Sequence, residues 1–488
     1  MGAGLTQVKG PGQARGTVQN MAYPSSELVI DPVLIRKHDV SGPRYTSYPT
    51  ADRFVEAFAD GCLQHRLAER AERGPGEPLS IYVHLPFCDT VCYYCGCNKV
   101  VTRDHGRSKK YINTLGREIA LVAAQLGATR EARPAYAQLH WGGGTPTFLS
   151  REEMAEVTAL VDSHFRREPG AELSLEVDPR RVEAGRMAFL AQLGFNRLSV
   201  GVQDFDARVQ QAVHRIQSEE ETRRVIDEAR ASGFRSVNLD LIYGLPLQTL
   251  DSFNATLDKV LDISPDRIAL YSYAHLPALF KPQRRIHEAE LPTPEGKLQI
   301  LTLAIGRLTR AGYVYIGMDH FAKPGDELTV AQSQGRLQRN FQGYSTQAGS
   351  DMLGFGVSAI GRVGASYYQN EKTLAAYYAA VDAGRLPVLR GVELTADDLV
   401  RRAVIQSLTC NFSVSLESIE LSWLIDFRSY FAAEMQDLRQ LADEGLVELK
   451  PDWIVVTPKG RLLVRAVCMV FDRYLREKRQ RASYSKVI

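Results

Sequence analysis

The chain has 488 residues, 44% hydrophobic and 24% charged, with 59 basic and 57 acidic side chains leaving a formal charge of +2. That length suits about two to four domains, and the balance excludes a disordered or fibrous chain. The near-neutral charge offers no bulk field for nucleic acid, and no apolar run approaches the length of a membrane span or heads a secretion signal. A cytoplasmic protein with no membrane span is expected.

In chain order, residues 1–27 are rich in Gly, Gln and small residues without hydrophobic period, and read as a loosely ordered extension. Strand-like runs then follow at Leu79–Leu85, Gln138–Trp141, Leu173–Asp178, Arg197–Gln203, Val237–Tyr243 and Arg267–Tyr273. Between the first two, Tyr111, Leu115, Ile119, Val122 and Leu126 recur at helical spacing. Strands alternating with helices predict βαβ units, a parallel sheet and an open or partial barrel.

Buried parallel strands are usually apolar throughout. Here Ser174, Glu176 and Asp178 alternate with Leu173, Leu175 and Val177, and Asn238 and Asp240 with Val237, Leu239 and Leu241. Ser199, Gly201 and Gln203 alternate likewise with Leu198, Val200 and Val202. A period of two puts each polar set on one face. That face is either wet or lines a lumen built for a polar ligand, and three consecutive strands sharing the pattern favour the lumen. After residue 290 the barrel pattern fades through two Gly-rich stretches, Tyr315–Asp326 and Gly349–Gly364. From about 390 the pattern is helical (Asp397–Leu408, Phe431–Glu444), then Leu446–Glu448 and Ile454–Thr457 as a two-stranded wing, and a last helix. The basic tail Arg473–Lys486 reads as a solvated helix end.

Four of the seven cysteines, Cys88, Cys92, Cys95 and Cys97, fall within ten residues directly after the first strand. Without a secretion signal, clustered thiols point to metal or redox chemistry rather than disulfides. Structural zinc would want a second separated pair, and a redox Cys-X-X-Cys leaves Cys88 unexplained. Gly142-Gly143-Gly144-Thr145-Pro146 follows the second strand, either as a tight turn or to let backbone approach a ligand.

The C-x3-C-x2-C loop resembles that of the radical S-adenosylmethionine (SAM) enzymes, in which three cysteines hold a [4Fe–4S] cluster and the fourth iron is left open for SAM. The narrower resemblance runs from about residue 28 to 488. Gly42-Pro-Arg-Tyr-Thr-Ser-Tyr-Pro49, Tyr82-Val-His-Leu-Pro-Phe-Cys88, Gln138-Leu-His-Trp-Gly-Gly-Gly-Thr-Pro146, Asp240-Leu-Ile-Tyr-Gly-Leu-Pro246 and Arg339-Asn-Phe-Gln-Gly-Tyr344 are similar to the oxygen-independent coproporphyrinogen III dehydrogenase family. The implied fold is α/β, a partial (β/α)6 barrel with a mostly helical, winged-helix-like C-terminal domain. The implied division is the extension over 1–27, a substrate-lid segment over 28–78, the barrel over 79–365 and the C-terminal domain over 366–488.

By the same resemblance Cys88, Cys92 and Cys95 ligate the cluster, while Cys97 belongs to the motif without an assigned role. Two SAM molecules are implied. Their contacts carry over to Tyr82, Tyr94, Gly143, Gly144 and Thr145 from the first half of the barrel. From the second half come Glu176, Gln203, Arg215, Asp240, Ala274 and Ile360. Arg215 taken alone is an ordinary helix-surface arginine. The implied reaction converts two propionates of coproporphyrinogen III to vinyl groups in haem biosynthesis. It needs an external flavodoxin- or ferredoxin-like electron donor and an electron acceptor that the residues do not identify. A four-propionate substrate calls for arginines at the lumen mouth, and Arg44, Arg284 and Arg285 are the candidates. His84 and His140 flank the site and read as structural.

The alternative is a haem chaperone of the same superfamily. Such chaperones carry an aromatic residue where this chain has Cys97, and a His-Asn-x-x-Tyr-Trp motif where it has Tyr367-Tyr-Gln-Asn370. A winged-helix regulator would need a basic helix. Phe431–Glu444 carries Glu434, Asp437, Asp443 and Glu444 against Arg439 alone, so no nucleic acid is expected. A monomer is expected.

Overall fold

Alternating polar and apolar side chains produce a sheet with two unlike faces. The computed structural model describes residues 28–74, 76–347 and 349–477. The extension over 1–27 and the tail beyond 477 lie outside the described residues. Strands β1 (Leu79–Leu85), β2 (Ala135–Gly143), β3 (Arg166–Val177), β4 (Arg197–Gln203), β5 (Ser236–Tyr243) and β6 (Arg267–Ser272) lie side by side and parallel. Helices Gly106–Gln125, Arg151–His164, Glu219–Ala231 and Leu250–Ile263 make the crossovers. Capping boxes at Ser150, Ser218 and Thr249 start three of them.

The sheet does not end at six strands. β7 (Val314–Gly317) and β8 (His320–Ala322) extend it antiparallel beyond β6, with β8 next to β6. β9 (Met352–Phe355) pairs parallel with β1, and β10 (Ile360–Val363), β11 (Ser366–Asn370) and β12 (Val388–Glu393) continue outward antiparallel. The result is one twelve-stranded sheet. The two Gly-rich stretches read as the barrel fading out are therefore strands, and a boundary at 365 would cut between the paired strands β10 and β11. These strands are three to six residues long and several are buried on both faces, too short for a period to register.

The apolar face packs under the helices, with Ile81, Leu139, Trp141, Leu175, Val200 and Leu239 fully buried. Ser174, Glu176, Asp178, Ser199, Asn238 and Asp240 are half-buried on the other face. Register aligns them laterally: Glu176, Ser199, Asn238 and Arg267 form one row, and Gly201, Asp240, Ala269 and His320 the next. The lumen is therefore polar, as the alternation predicts.

The C-terminal region begins with helix Ala396–Asn411 and includes a three-stranded sheet, Ser413–Ser415, Val447–Leu449 and Trp453–Val456, one strand more than the expected wing. Arg473 is no solvated end, since its guanidinium pairs with Asp397 at 2.7 Å. Gly42–Pro49, read as a lid, is bound to this region. Arg465 donates to the Gly42 and Pro43 carbonyls, Tyr45 Oη donates to Asp472, and Tyr48 Oη accepts from Arg473 N–H. Tyr45 and Tyr48 are each 1% exposed. No helix among the described residues is long and apolar enough to cross a membrane.

Glu118, on Gly106–Gln125, ties the sheet's active edge together. It accepts from Gly356 N–H (2.8 Å), Tyr377 Oη (2.6 Å) and Asn370 Nδ2 (2.6 Å). Tyr111 bridges the same loop, accepting from Val357 N–H and donating to the His84 carbonyl at the end of β1. Burial pushes the Glu118 carboxyl up from 4.5 to about 7, against the hydrogen bonds. A folded pKa above the unfolded one gives stability that is full below about pH 4.5 and lost as pH rises through 7. That gap is worth about 3 kcal/mol. In urea unfolding between pH 4.5 and 8, the wild type should lose about that much relative to Glu118→Gln, whereas parallel curves would refute a neutral buried carboxyl.

Candidate active site

The cysteine loop leaves β1 at its C-terminal edge, where parallel sheets place ligands. Its entry is fixed by a short parallel pairing, Phe87 with Val100 and Cys88 with Val101, and by Thr102 N–H donating to the Cys88 carbonyl. Its middle is anchored by Tyr93 N–H to the Val213 carbonyl (2.9 Å). Gln283, 2% exposed, donates to the carbonyls of both Tyr94 and Ala274 and accepts from Leu276 N–H. This glutamine, which carries no periodic signal in the sequence, joins the loop to the chain after β6.

The glycine run explains itself by close approach. Gly144 N–H donates to the Leu85 carbonyl and Thr145 N–H to the Phe87 carbonyl. A Cβ at Gly144 would lie 2.6 Å from the Phe87 oxygen, and one at Gly143, at φ +111°, 2.5 Å from the His84 ring. The glycines therefore press β2 against the chain that leads into Cys88, and Thr145 Oγ1 reaches the Cys88 sulfur at 3.6 Å.

Cys92 is buried, and its sulfur lies 3.6 Å from both Arg180 Nη2 and Arg215 Nη1. The two guanidiniums share one carboxylate: Asp178 Oδ2 accepts from Arg180 at 2.6 Å and from Arg215 at 3.1 Å. Burial would raise the Asp178 pKa, but Arg215 and Arg180 hold it below the ordinary range. Arg215 is 7% exposed, not on a helix surface, and its Nη2 donates to the Gly201 carbonyl at 2.6 Å. Its Nε is buried with no partner. Gly201 is small because a Cβ there would come 2.9 Å from both Arg215 Nη2 and Gln203 Nε2. Gln203 itself sits at a register shift with φ +68°.

Burial pushes the Cys88 thiol up to about 12, and the nearby Cys95 and Cys92 charges add to this. Cys95 and Cys97 share a hydrogen bond that lowers the first and raises the second. Among the described residues no three His, Cys, Asp or Glu side chains are arranged to hold a single metal ion. An anionic iron–sulfur cluster suits this donor set on chemistry: several thiols on one loop, beside two guanidiniums with one carboxylate and an unpartnered N–H.

Across the lumen floor, Tyr82 stacks on His140 at 5.9 Å and its hydroxyl meets His84 Nδ1 at 3.1 Å. His84 Nε2 bonds the Asn98 carbonyl, and burial lowers its pKa, keeping the ring neutral. His140 meets Ser174 at 2.7 Å and Glu176 at 3.7 Å. Burial would raise Glu176, but His140 and Gly143 N–H hold it below the usual value. Asp240 accepts from Ser199 and Asn238, and burial with the nearby Glu176 charge lifts it to about 6. Two lumen carboxyls thus differ in proton affinity. Tyr94 packs with Val209, Val213 and Leu245 beside this floor.

Of the remaining candidates, Ile360 starts β10 at the same edge but packs with Phe54 and Tyr367. Arg44 reaches Asp319 at 2.9 Å beside Tyr271. Arg285 lies over the Tyr93 ring of the cysteine loop at 5.3 Å. Arg284 is exposed, like Arg285, and donates to the Pro277 carbonyl. Sequence reasoning missed Arg180, since nothing periodic marks it, and named Asp178 only as part of an alternation.

The Radical SAM superfamily profile matches residues 82–260, and that of the HemN C-terminal domain residues 394–463. A Pseudomonas aeruginosa protein named oxygen-independent coproporphyrinogen III oxidase is 50% identical over 460 residues, covering 94% of this chain and 98% of its own. The Escherichia coli protein of the same name is 49% identical over 458 residues, with the same coverage. A solved structure described as coproporphyrinogen III oxidase (HemN) from Escherichia coli, a radical SAM enzyme, aligns with a TM-score of 0.87 at 47% identity, covering 92% of this chain and all of that one.

Removing the shared carboxylate should leave the buried Arg215 and the half-buried Arg180 guanidiniums uncompensated. Asp178→Asn is expected to lose about 3–5 kcal/mol in urea unfolding of the metal-free protein. Exposed Glu183→Gln should change little, and an Asp178→Asn loss no larger than the control's would contradict the buried pairing.

Proposed function

The chain belongs to the oxygen-independent coproporphyrinogen III oxidase family of radical SAM enzymes, and we propose that it converts two propionates of coproporphyrinogen III to vinyl groups, giving protoporphyrinogen IX without oxygen. Each conversion takes one hydrogen atom from the propionate β-carbon, releases CO2 and passes one electron to an external acceptor. When bound, the [4Fe–4S] cluster and SAM supply the hydrogen-atom acceptor. A flavodoxin- or ferredoxin-like donor supplies the reducing electron.

The carrying observation is the polar lumen ending at the cysteine loop. Cys88, Cys92 and Cys95 are the cluster ligands in this reading, with Arg180 and Arg215 offsetting its negative charge. Tyr82, Tyr94, Gly143, Gly144 and Thr145 line the loop side of two SAM sites, and Glu176, Gln203, Arg215, Asp240, Ala274 and Ile360 the other. Glu176, held ionised, accepts from an ammonium, while Asp240 and Gln203 meet hydroxyl and adenine donors. Arg215 offers its free Nε to a carboxylate.

The test is anaerobic turnover of reconstituted protein with SAM, reductant, coproporphyrinogen III and a cell extract as electron acceptor. Wild type should yield vinyl-bearing porphyrinogen and 5′-deoxyadenosine, and Cys92→Ser neither. 5′-Deoxyadenosine with unchanged porphyrinogen would overturn the substrate, and tight haem binding without product would favour a chaperone.

A further inference from the structure

The lumen has a second cationic focus, away from the cysteine loop. Register places His320 of β8 on the lumen face in the row of Asp240, two strands away, or about 10 Å. Its ring stands edge-on to Tyr271 (5.9 Å) and Tyr344 (5.3 Å), and its Nδ1 is buried without a partner. Over it folds the hairpin Gln338–Asn340 and Gly343–Ser345. A Cβ at Gly343 would lie 3.8 Å from His320 Nε2.

That hairpin carries Arg339, 6% exposed, with its guanidinium 4.9 Å from the Tyr344 ring centre. Arg339 Nε and Nη1 are buried without partners, as is Gln342 Nε2 at the hairpin turn. The arginine's backbone is clamped by Gln406, which accepts from its N–H (3.1 Å) and donates to its carbonyl (2.7 Å). Arg44 arrives from the N-terminal segment beside Tyr271, paired with Asp319 at 2.9 Å. Burial and the neighbouring arginines push His320 down to about 3, so the ring adds no charge but can still donate one N–H.

A buried N–H left unpaired is unfavourable, and one on a guanidinium more so. Four such groups, on the hairpin and on the strand beneath it and two of them on an arginine whose backbone is clamped, call for an anion with several acceptor lone pairs. A planar carboxylate satisfies an arginine fork, and a neutral imidazole and an amide complete its lone pairs.

Resting on the function proposed above, we propose that Arg339, with His320, Gln342 and Arg44, seats one propionate carboxylate of the tetrapyrrole and so orients the ring in the lumen. These are binding residues.

The probe is coproporphyrin III, the oxidised fluorescent form with the same four propionates, titrated into the full chain beside its tetramethyl ester. Arg339→Gln should weaken binding of the acid about tenfold or more and leave the ester unchanged, with Arg339→Lys intermediate. In anaerobic turnover the same variant should raise KM for coproporphyrinogen III more than it lowers kcat. Equal binding of the acid by wild type and variant, or equal losses for acid and ester, would overturn the carboxylate seat. So would failure of the wild type to bind the acid. If Arg339→Gln does not melt as a folded protein, His320→Asn and Arg44→Gln carry the same comparison. Selective binding of the acid by a wild type that makes no vinyl product would uphold the seat and overturn the reaction.

Discussion

The site depends on how buried charge is balanced beside Cys92. Two guanidiniums, Arg180 and Arg215, share one carboxylate, Asp178, so the group keeps an excess positive charge against the thiol. Charge in a water-poor pocket is unfavourable unless it is paired. A cluster with three thiolates is anionic, and this arrangement offers what it needs. Arg215 also reaches Gly201, and so couples the cysteine loop to the bulged end of β4.

The sheet makes that balance possible. Helices bury its apolar face, which leaves the other face free to collect Glu176, Asp240 and the rows beside them. The loops at its C-terminal edge are held by close backbone approach and by side-chain hydrogen bonds. Gly143 and Gly144 press β2 onto the chain before Cys88, Gln283 ties the loop to the chain after β6, and Glu118 with Tyr111 fixes the loop after β9. These contacts give the cysteine loop a fixed backbone path, in keeping with the demand that a functional site be preorganised. The N-terminal segment is held down by Arg465 and Asp472, so its Arg44 reaches the lumen from a fixed base.

The six parallel strands and their polar face were legible because period-two alternation directly records burial. β1 and β4 have their expected limits, while β3 starts seven residues earlier, at Arg166, in a polar stretch without alternation. The six outer strands were not legible: they are short, several are Gly-rich, and their pairing is set by distant partners such as β1 with β9. For the same reason His320 escaped notice, since only cross-strand register reveals that it shares a row with Asp240, and Arg339 stood in a motif without an assigned place. Spacing marked the cysteines. Arg215 taken alone was an unremarkable arginine; the resemblance gave it a role, and its partners put it beside Cys92 and Asp178. Arg284 shows the converse, a basic candidate from the sequence that is exposed and donates to the Pro277 carbonyl.

The central claim is that three cysteines hold a cluster with one iron open to SAM, and that Cys97 is not a ligand. Mössbauer spectroscopy of protein reconstituted with enriched iron, before and after SAM is added, tests this most directly. The account predicts that one iron of each cluster changes its signal on SAM binding while the other three do not, in the wild type and in Cys97→Ser alike. Four iron sites indifferent to SAM, or a cluster that no longer assembles in Cys97→Ser, would contradict it.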